Sequence, residues 1–530
     1  ERWDGSPARC VGTAAFAGEA HPQIGAVRRA LLGTGYFVIY NLVMMIGLLP
    51  IFPAFYVLTH INSLAFGATD KIVPWSWVLV LAWPAALSLV FASMLVVILM
   101  RWTLLPFRVG PGRHSIYSSF YVRKWTVALA TEAMLETLNS LYATVFMRNW
   151  YRLMGTKVGR GTEISANFSG RYDLVELGAN NFIGDEAIFG DEEIRGGWMT
   201  LDRVKTADRC FFGNLSVVAK GAEIESDALL GVKSRLPDSL RIGAGETWFG
   251  SPAIMIPNRQ RVDMGSNWTY QPPWYKRLAR TMFEAMHTSF PTAVLISLAF
   301  ITADIIEIPI NAGDYSGALA IFFVAGVLVS LAMMLVSVIF KWVAMGTYRP
   351  IEKPMWSWWA MRTEAVAVLY GGLSSKVMLD YVRGTPFMPW LLKLYGTRVG
   401  RGTYINCADL TEFDCVSIGD FSVVNLHANP QTHLYEDRVM KVGRIEIGRG
   451  VTLGSGSLIL YDTRIGDFAR IAPLTVVMKG ETVPAHSTWE GAPSRQAGVR
   501  DAQEPHQQPH PQPSPQPSGE QAFARPTVPA

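Results

Sequence analysis

The chain has 530 residues, half of them hydrophobic, with 47 Lys plus Arg against 43 Asp plus Glu. That length holds several domains, and a positive mean hydropathy is too apolar for an ordinary soluble protein and too polar for one made wholly of membrane spans. No Lys/Arg block resembles a nucleic-acid patch, and Cys10, Cys210, Cys407 and Cys415 show neither CxxC spacing nor a disulfide framework, as expected of reduced thiols facing the cytoplasm.

Residues 1–9 contain RWDGSPAR, a phrase that gains meaning only from two later segments, and 10–35 read as a linker. A transmembrane hairpin is expected over 36–104. Tyr36–His60 and Val73–Met100 lack Asp, Glu, Lys and Arg, and each is long enough for a hydrocarbon core of about 30 Å. A juxtamembrane helical segment follows at 105–154, with Trp125–Leu153 amphipathic. Next come a β-helix domain at 155–257, a juxtamembrane segment at 258–288, a second hairpin at 289–341, a helical segment at 342–395, and a second β-helix at 396–497. Residues 498–530, rich in Gln and Pro, read as a disordered tail.

Arg28, Arg29, Arg101, Arg108 and Arg113 flank the first hairpin, and Lys276, Arg277, Arg280, Lys341, Arg349 and Lys353 flank the second, while the short loops between spans carry only Lys71. Both hairpins are therefore expected to dip in from the cytoplasmic side. Asp304 and Glu307 lie toward the outer end of span three. At mid-bilayer a carboxylate would cost roughly 2.5–3.5 kcal/mol, so an interfacial place is favoured over a cation or product path.

The fold is decided by repetition. WYRLMGTKVGRGTEI, ending at Ile164, recurs as LLKLYGTRVGRGTYI, ending at Ile405, and the copies align without a gap through TWFGSPA (Thr247–Ala253) and TWEGAPS (Thr488–Ser494). The opening RWDGSPAR matches those endings through Trp3, Gly5 and Pro7, so a third copy upstream is expected. In the last copy Ile447, Leu453, Ile459, Ile465, Ile471, Val477 and Val483 recur every sixth residue. That period is neither helical nor the alternation of a simple strand; it is the period of a triangular parallel β-helix. The expected fold class is a membrane protein with tandem left-handed, hexapeptide-repeat β-helices alternating with transmembrane α-helical hairpins.

The VGRG repeats, the WxGxP endings and the period of six are similar to hexapeptide-repeat acyltransferases. Prisms alternating with hairpins, GNLSVV (Gly213–Val218) with LLGVKS (Leu229–Ser234), and QTHLYEDRVMK (Gln431–Lys441) resemble the C-terminal region of poly-ε-lysine-synthetase-type nonribosomal peptide synthetases. The resemblance implies three membrane-tethered, acetyltransferase-like domains that join amino acids into a homopolymer in the inner (plasma) membrane of a bacterium. It also implies upstream adenylation and carrier domains, which are not in this chain, and phosphopantetheine on that carrier as the cofactor. The expected partners are the lipid bilayer, the upstream or trans carrier domain, and an amino acid or growing peptide amine; no nucleic acid is expected. Three prisms would form a pseudo-trimer within one chain, and a homodimer stays open.

Within the prisms only His427, His433 and His486 occur, all in the last copy. Hexapeptide acyltransferases use a histidine base, and His433 lies in an excursion, Asn425–Lys441, that interrupts the coil. It is the leading candidate for general base. Glu436 and Asp437 are the sequence neighbours able to orient it, and His427 is the second candidate, as base or substrate contact. The bland alternative is that both histidines make only structural hydrogen bonds. The alignment places Glu186 opposite His427 and Glu192 opposite His433, so the first copy lacks the base. There Asp191, Glu192 and Glu193 could draw a cationic amine or simply form a solvated charge run. No metal ligand set is expected. Three readings remain open: amide formation from a carrier-bound aminoacyl thioester, a noncatalytic carrier-docking and product-guiding scaffold, or an acyl-coenzyme A-dependent acyltransferase.

Overall fold

The computed structural model describes residues 2–12, 21–66, 75–137, 141, 144–236, 241–257, 259 and 261–498. Most of the tail expected at 498–530, and Lys71 in the first inter-span loop, lie outside the described residues.

Long helices and prisms follow one another along the chain. Helices α1 (Ala26–Ile46), α2 (Ile51–Phe66), α3 (Trp75–Leu104), α4 (Ser119–Thr137) and α5 (Val145–Met154) precede the first prism. Helices α6 (Trp274–Asn311), α7 (Tyr315–Ala344), α8 (Trp358–Leu369), a π-helix (Tyr370–Leu379), α9 (Asp380–Val382) and α10 (Phe387–Tyr395) precede the second. Four stretches, Ala26–Leu58, Trp77–Leu104, Trp274–Asn311 and Tyr315–Ala344, are long and apolar enough to cross a membrane. The first apolar run is divided at Gly47–Pro50, because Pro50 lacks an N–H and disfavours helical geometry at Leu49.

The second prism has three parallel sheets. One runs Arg398–Val399, Val416–Ile418, Ile445–Ile447, Thr463–Ile465, Thr482–Val483; the next begins at Tyr404–Ile405 and ends at Thr488–Glu490; the third joins Asn429–Gln431, Leu458–Leu460 and Val476–Val477. The seven strands from Ile445–Ile447 to Thr482–Val483 each send one aliphatic residue of the six-residue series inward, and all seven from Ile447 to Val483 are buried. Successive coils pass so closely at the corners that a Cβ on Gly454 would lie 2.5 Å from Pro473 N; only glycine fits there. The first prism repeats this three-sheet order from Lys157–Val158 to Thr247–Gly250.

Both prisms are tied to their preceding helices by the same contacts. Arg101, fully buried at the end of α3, pairs with Asp173, which also accepts Val109 N–H at 3.0 Å. Lys341, fully buried at the end of α7, pairs with Asp414 at 2.8 Å, and Asp414 accepts Tyr348 N–H at 3.0 Å. The next residues, Trp102 and Trp342, each donate from the indole to a backbone carbonyl at 2.8 Å, on Leu153 and Leu394.

Each described prism closes on an antiparallel hairpin, Thr247–Gly250 with Ala253–Ile256 and Thr488–Glu490 with Arg495–Gln496. A third such hairpin, Arg2–Asp4 with Arg9–Gly12, stands at the start of the described chain and runs past the boundary expected at residue 9. Their turns meet in a ring: Ser6 N–H donates to Ser251 O (2.9 Å), Ser251 N–H to Ala492 O (2.9 Å), and Ala492 N–H to Ser6 O (3.1 Å). Between the prisms, Val232 and Phe249 of the first pack with Leu434, Leu458, Leu460, Tyr461, Val476 and Ala492 of the second.

Two elements had no sequence signal. Strands Gly112–Ser115 and Ile351–Pro354 leave the juxtamembrane segments and pair with hairpins that project from the prisms: Glu193–Arg195 with Trp198–Leu201, and His433–Glu436 with Val439–Val442. These hairpins are called arms below. The excursion expected from Asn425 begins later, because Asn429–Gln431 remains in the third sheet beside Leu458–Leu460.

Candidate active site

The arm of the second prism turns at Asp437–Arg438, both at positive φ (51° and 64°), the backbone of a tight two-residue hairpin. It lies across the first prism. At the tip, Arg438 Nη1 donates to Glu163 Oε1 at 2.8 Å, and Nη2 donates to Asn181 O at 3.0 Å and to Gly161 O. Midway, the Tyr435 ring rests 5.5 Å from that of Phe182. At the base stands His433.

The His433 side chain is 21% exposed, and its Nδ1 lies 2.7 Å from Glu412 Oε2, whose side chain is 2% exposed. A carboxylate only accepts, so Nδ1 carries the proton, and in the neutral ring Nε2 keeps the lone pair. Glu412 is fixed in turn. Thr432 Oγ1 donates to Oε2 at 2.6 Å and Thr363 Oγ1 to Oε1 at 3.2 Å. Its backbone is left-handed (φ 42°, ψ 53°), which costs a residue with a Cβ about 1–2 kcal/mol. Asp185, at a corner of the first prism, adds negative potential at the same imidazole.

Burial opposes the charged imidazole, but Glu412, then Asp185 and Glu364, outweigh it, so the His433 pKa is raised above the usual histidine value. Burial likewise opposes the Glu412 carboxylate, but His433 and the Thr432 and Thr411 hydroxyls overcome it and leave its pKa lowered. When protonated, the imidazole forms an ion pair with the Glu412 carboxylate. The imidazole becomes a free base as pH rises past the ordinary histidine range.

Two expectations about orientation are corrected. Glu436 and Asp437 do not hold His433. Alternate residues of a strand face opposite sides, so His433 and Tyr435 share one face, while Glu436 turns to Lys441 (2.9 Å) and Lys479 (2.7 Å). Asp437, at the tip, pairs with Arg259. His427 is exposed at a coil corner (φ 55°), at the opposite end of strand Asn429–Gln431 from His433. The structure does not bring the two histidines together.

The first prism carries the same framework with the charges changed. At the positions of His433 and Glu412 stand Glu192 and Arg171, 3.5 Å apart. Thr363 and Lys124 are each the sixth residue after a serine, Ser357 and Ser118, that bonds the start of its helix, and Lys124 pairs with Glu192. Burial lowers the Lys124 pKa despite Glu192. Glu193 is engaged by Lys220 at 2.6 Å, and Asp191 ends a strand at the surface. Of the acidic run expected to draw an amine, Glu192 and Glu193 are thus neutralised by this chain's own cations. From the first prism it is Asp185 that adds negative potential at His433. Sequence comparison missed Glu412, although the exchange of Arg171/Glu192 for Glu412/His433 between aligned copies was a usable signal.

The surroundings narrow the chemistry. Burial pushes the Cys407 and Cys415 thiols up to about 12, so neither is a thiolate nucleophile near neutral pH. Among the described residues no group of three or more His, Cys, Asp or Glu side chains is placed to hold a metal ion.

The chain thus joins two prisms of parallel coils and places an imidazole–carboxylate pair at their boundary. Comparisons with known proteins refine that. No protein-family model matches the chain. Delta-poly-L-ornithine synthetase of Acinetobacter baumannii is 35% identical over 501 residues, covering 93% of this chain. By sequence the chain is of poly-amino-acid-synthetase type over the matched stretch, and it spans 37% of that relative's length. Solved structures similar to parts of it include a hexapeptide-repeat acetyltransferase of Vibrio cholerae (13% identity, TM-score 0.22, 27% of this chain and 95% of that one). Soybean serine acetyltransferase is another (13% identity, TM-score 0.20, 38% and 68%).

Proposed function

We propose that the chain is the condensing part of a membrane-bound amino-acid homopolymer synthetase, an aminoacyl or peptidyl transferase that forms amides between a carrier-borne thioester and a free amine. The observation that carries this reading is the His433–Glu412 pair at the boundary of two prisms, in a chain of poly-amino-acid-synthetase type.

In this reading the donor is a thioester on a carrier's phosphopantetheine arm, and it is a substrate of this chain. Only a neutral amine attacks it. A lysine-like ammonium of pKa about 10.4 is neutral roughly once in a thousand near pH 7.4, a handicap of about 4 kcal/mol. As the amine nitrogen bonds to the carbonyl carbon, His433 Nε2 takes the surplus N–H proton. The C–S bond then breaks, the imidazolium returns that proton to the departing sulfur, and amide and thiol are the products. Glu412 holds the tautomer and balances the imidazolium charge. Asp185 supplies negative potential where a cationic amine would arrive, and ornithine, in the relative's name, is of that kind.

The wider arrangement follows from the same reading. Two left-handed β-helices described here and a third upstream form a pseudo-trimer; the ring of Ser6, Ser251 and Ala492 supports it. Hairpins between the prisms anchor it in a bacterial inner membrane with the prisms in the cytoplasm. One groove is competent, and the first prism serves as its wall.

The test is amide formation by the intact protein given a free amine and either an aminoacyl-loaded carrier or the matching coenzyme A thioester. Turnover with the carrier alone, abolished by His433→Ala, is expected. Equal turnover with coenzyme A would favour the acyl-coenzyme A reading, and undiminished turnover in His433→Ala would remove the base assignment.

A further inference from the structure

One buried guanidinium stands beside two carboxylates that each bond the arm. Arg280 lies on α6, upstream of the apolar stretch read as span three, and its side chain is 1% exposed. Its Nε donates to Glu284 Oε1 at 2.6 Å, Nη1 to Met355 O at 3.2 Å, and Nη2 to Glu364 Oε2 at 3.2 Å; Glu163 Oε2 stands 3.8 Å from Nη2. Glu163 belongs to the first prism and receives Arg438 from the arm's tip. Glu364 belongs to α8 and accepts the Tyr435 hydroxyl at 2.7 Å, midway along the arm. The Tyr435 ring in turn meets the His433 imidazole edge to face, 5.9 Å between centroids at 82°. A chain of contacts therefore runs from α6 through Glu364 and Tyr435 to the imidazole.

We infer that Glu364 is a positioning residue for His433, acting through Tyr435 and anchored on α6 by Arg280. Two separable effects follow. The hydroxyl bond sets where Tyr435, and so the imidazole face, stands. The carboxylate adds to the negative field at His433, which Glu412 from the 411–412 turn and Asp185 from the first prism also supply; Thr411, Thr432 and Tyr435 are the other polar groups around the ring. An imidazolium is favoured by each nearby carboxylate, so loss of the Glu364 charge lowers the pH at which the base becomes free. A misplacement of about 1 Å costs roughly 100-fold in rate, so loss of the hydroxyl bond lowers kcat.

This inference rests on His433 being the base, and the experiment separates the two. Amide formation from an aminoacyl-loaded carrier is measured against pH for the intact protein and for Glu364→Gln, Tyr435→Phe, Glu284→Gln and His433→Ala. Glu364→Gln should lower kcat by about 10- to 100-fold and move the acid limb to lower pH, with KM for the amine within about twofold. Tyr435→Phe should lower kcat and move the limb less than Glu364→Gln does, because the carboxylate remains beside Arg280 and loses only the hydroxyl bond that helps hold it ionised against burial. Glu284→Gln, which touches Arg280 but not the arm, should lower thermal stability and leave the limb in place, which separates positioning from mere weakening of the fold. Wild-type kcat and pH profile in both Glu364→Gln and Tyr435→Phe, with His433→Ala inactive, would overturn this inference alone. Activity in His433→Ala would overturn the base assignment and this inference together.

Discussion

The two prisms share a framework and differ at its most chemically demanding point. Both are reached by an apolar helix ending in a buried cation on an aspartate, Arg101 with Asp173 and Lys341 with Asp414. Both push out an arm braced by a strand from the juxtamembrane segment. At the arm's base, however, the first prism has Glu192 held by Lys124 and Arg171, and the second has His433 held by Glu412 among three threonines. An ion cluster of fixed charge is structure; an imidazole on a buried carboxylate can exchange a proton near neutral pH. A fold kept constant around that difference separates what builds the prism from what equips it to react.

The comparison can be broken most sharply at the buried carboxylate. Glu412→Gln is expected to cut amide formation about 1,000-fold and to shift the acid limb downward, since the imidazolium loses its strongest partner. Arg171→Gln, the matching change in the first prism, should leave the rate within about twofold and show only in stability. Equal losses of rate in both would mean that the two sites work alike.

The shared framework makes a somewhat smaller prediction. Asp414→Asn leaves Lys341 buried without its counter-charge, a change worth about 3 kcal/mol of stability, and Asp173→Asn should do the same to Arg101. Thermal unfolding in detergent checks both. A much larger loss for one than the other would show that the two attachments are not equivalent. The smallest effect is expected from Asp191→Ala and Glu193→Ala. The Glu193–Lys220 pair is solvent-exposed, and such pairs contribute under about 1 kcal/mol. Turnover at low amine concentration should stay within about twofold; a large rise in KM would restore the idea that this run recruits the amine.

The legible parts of the molecule obeyed repetitive, local rules. Aliphatic residues at every sixth position mark the coil because each strand contributes one side chain to a narrow core, and Ile447 through Val483 all go there. Uncharged runs mark the long helices for a similarly one-dimensional reason. His433 stood out through the scarcity of histidine and the break in the period. What the pattern hid depends on non-local geometry. Glu412 lies far from His433 in sequence and meets it only because a left-handed turn aims it inward. Asp185 and Glu364 arrive from another prism and from a helix. Glu436 and Asp437 were the nearest acids along the chain, but strand alternation and a tight turn carry them elsewhere. Adjacency in sequence was a poor guide once the backbone became a hairpin.

The central claim is that proton removal by His433 limits amide formation, and its pH dependence tests that most directly. Single-turnover amide formation from an aminoacyl-loaded carrier should rise with pH through one ionisation above the ordinary histidine value of about 6.5. In His433→Gln that ionisation should vanish, leaving a slow reaction that follows only the ionisation of the amine. The same limb persisting in His433→Gln at near wild-type rate would contradict the account.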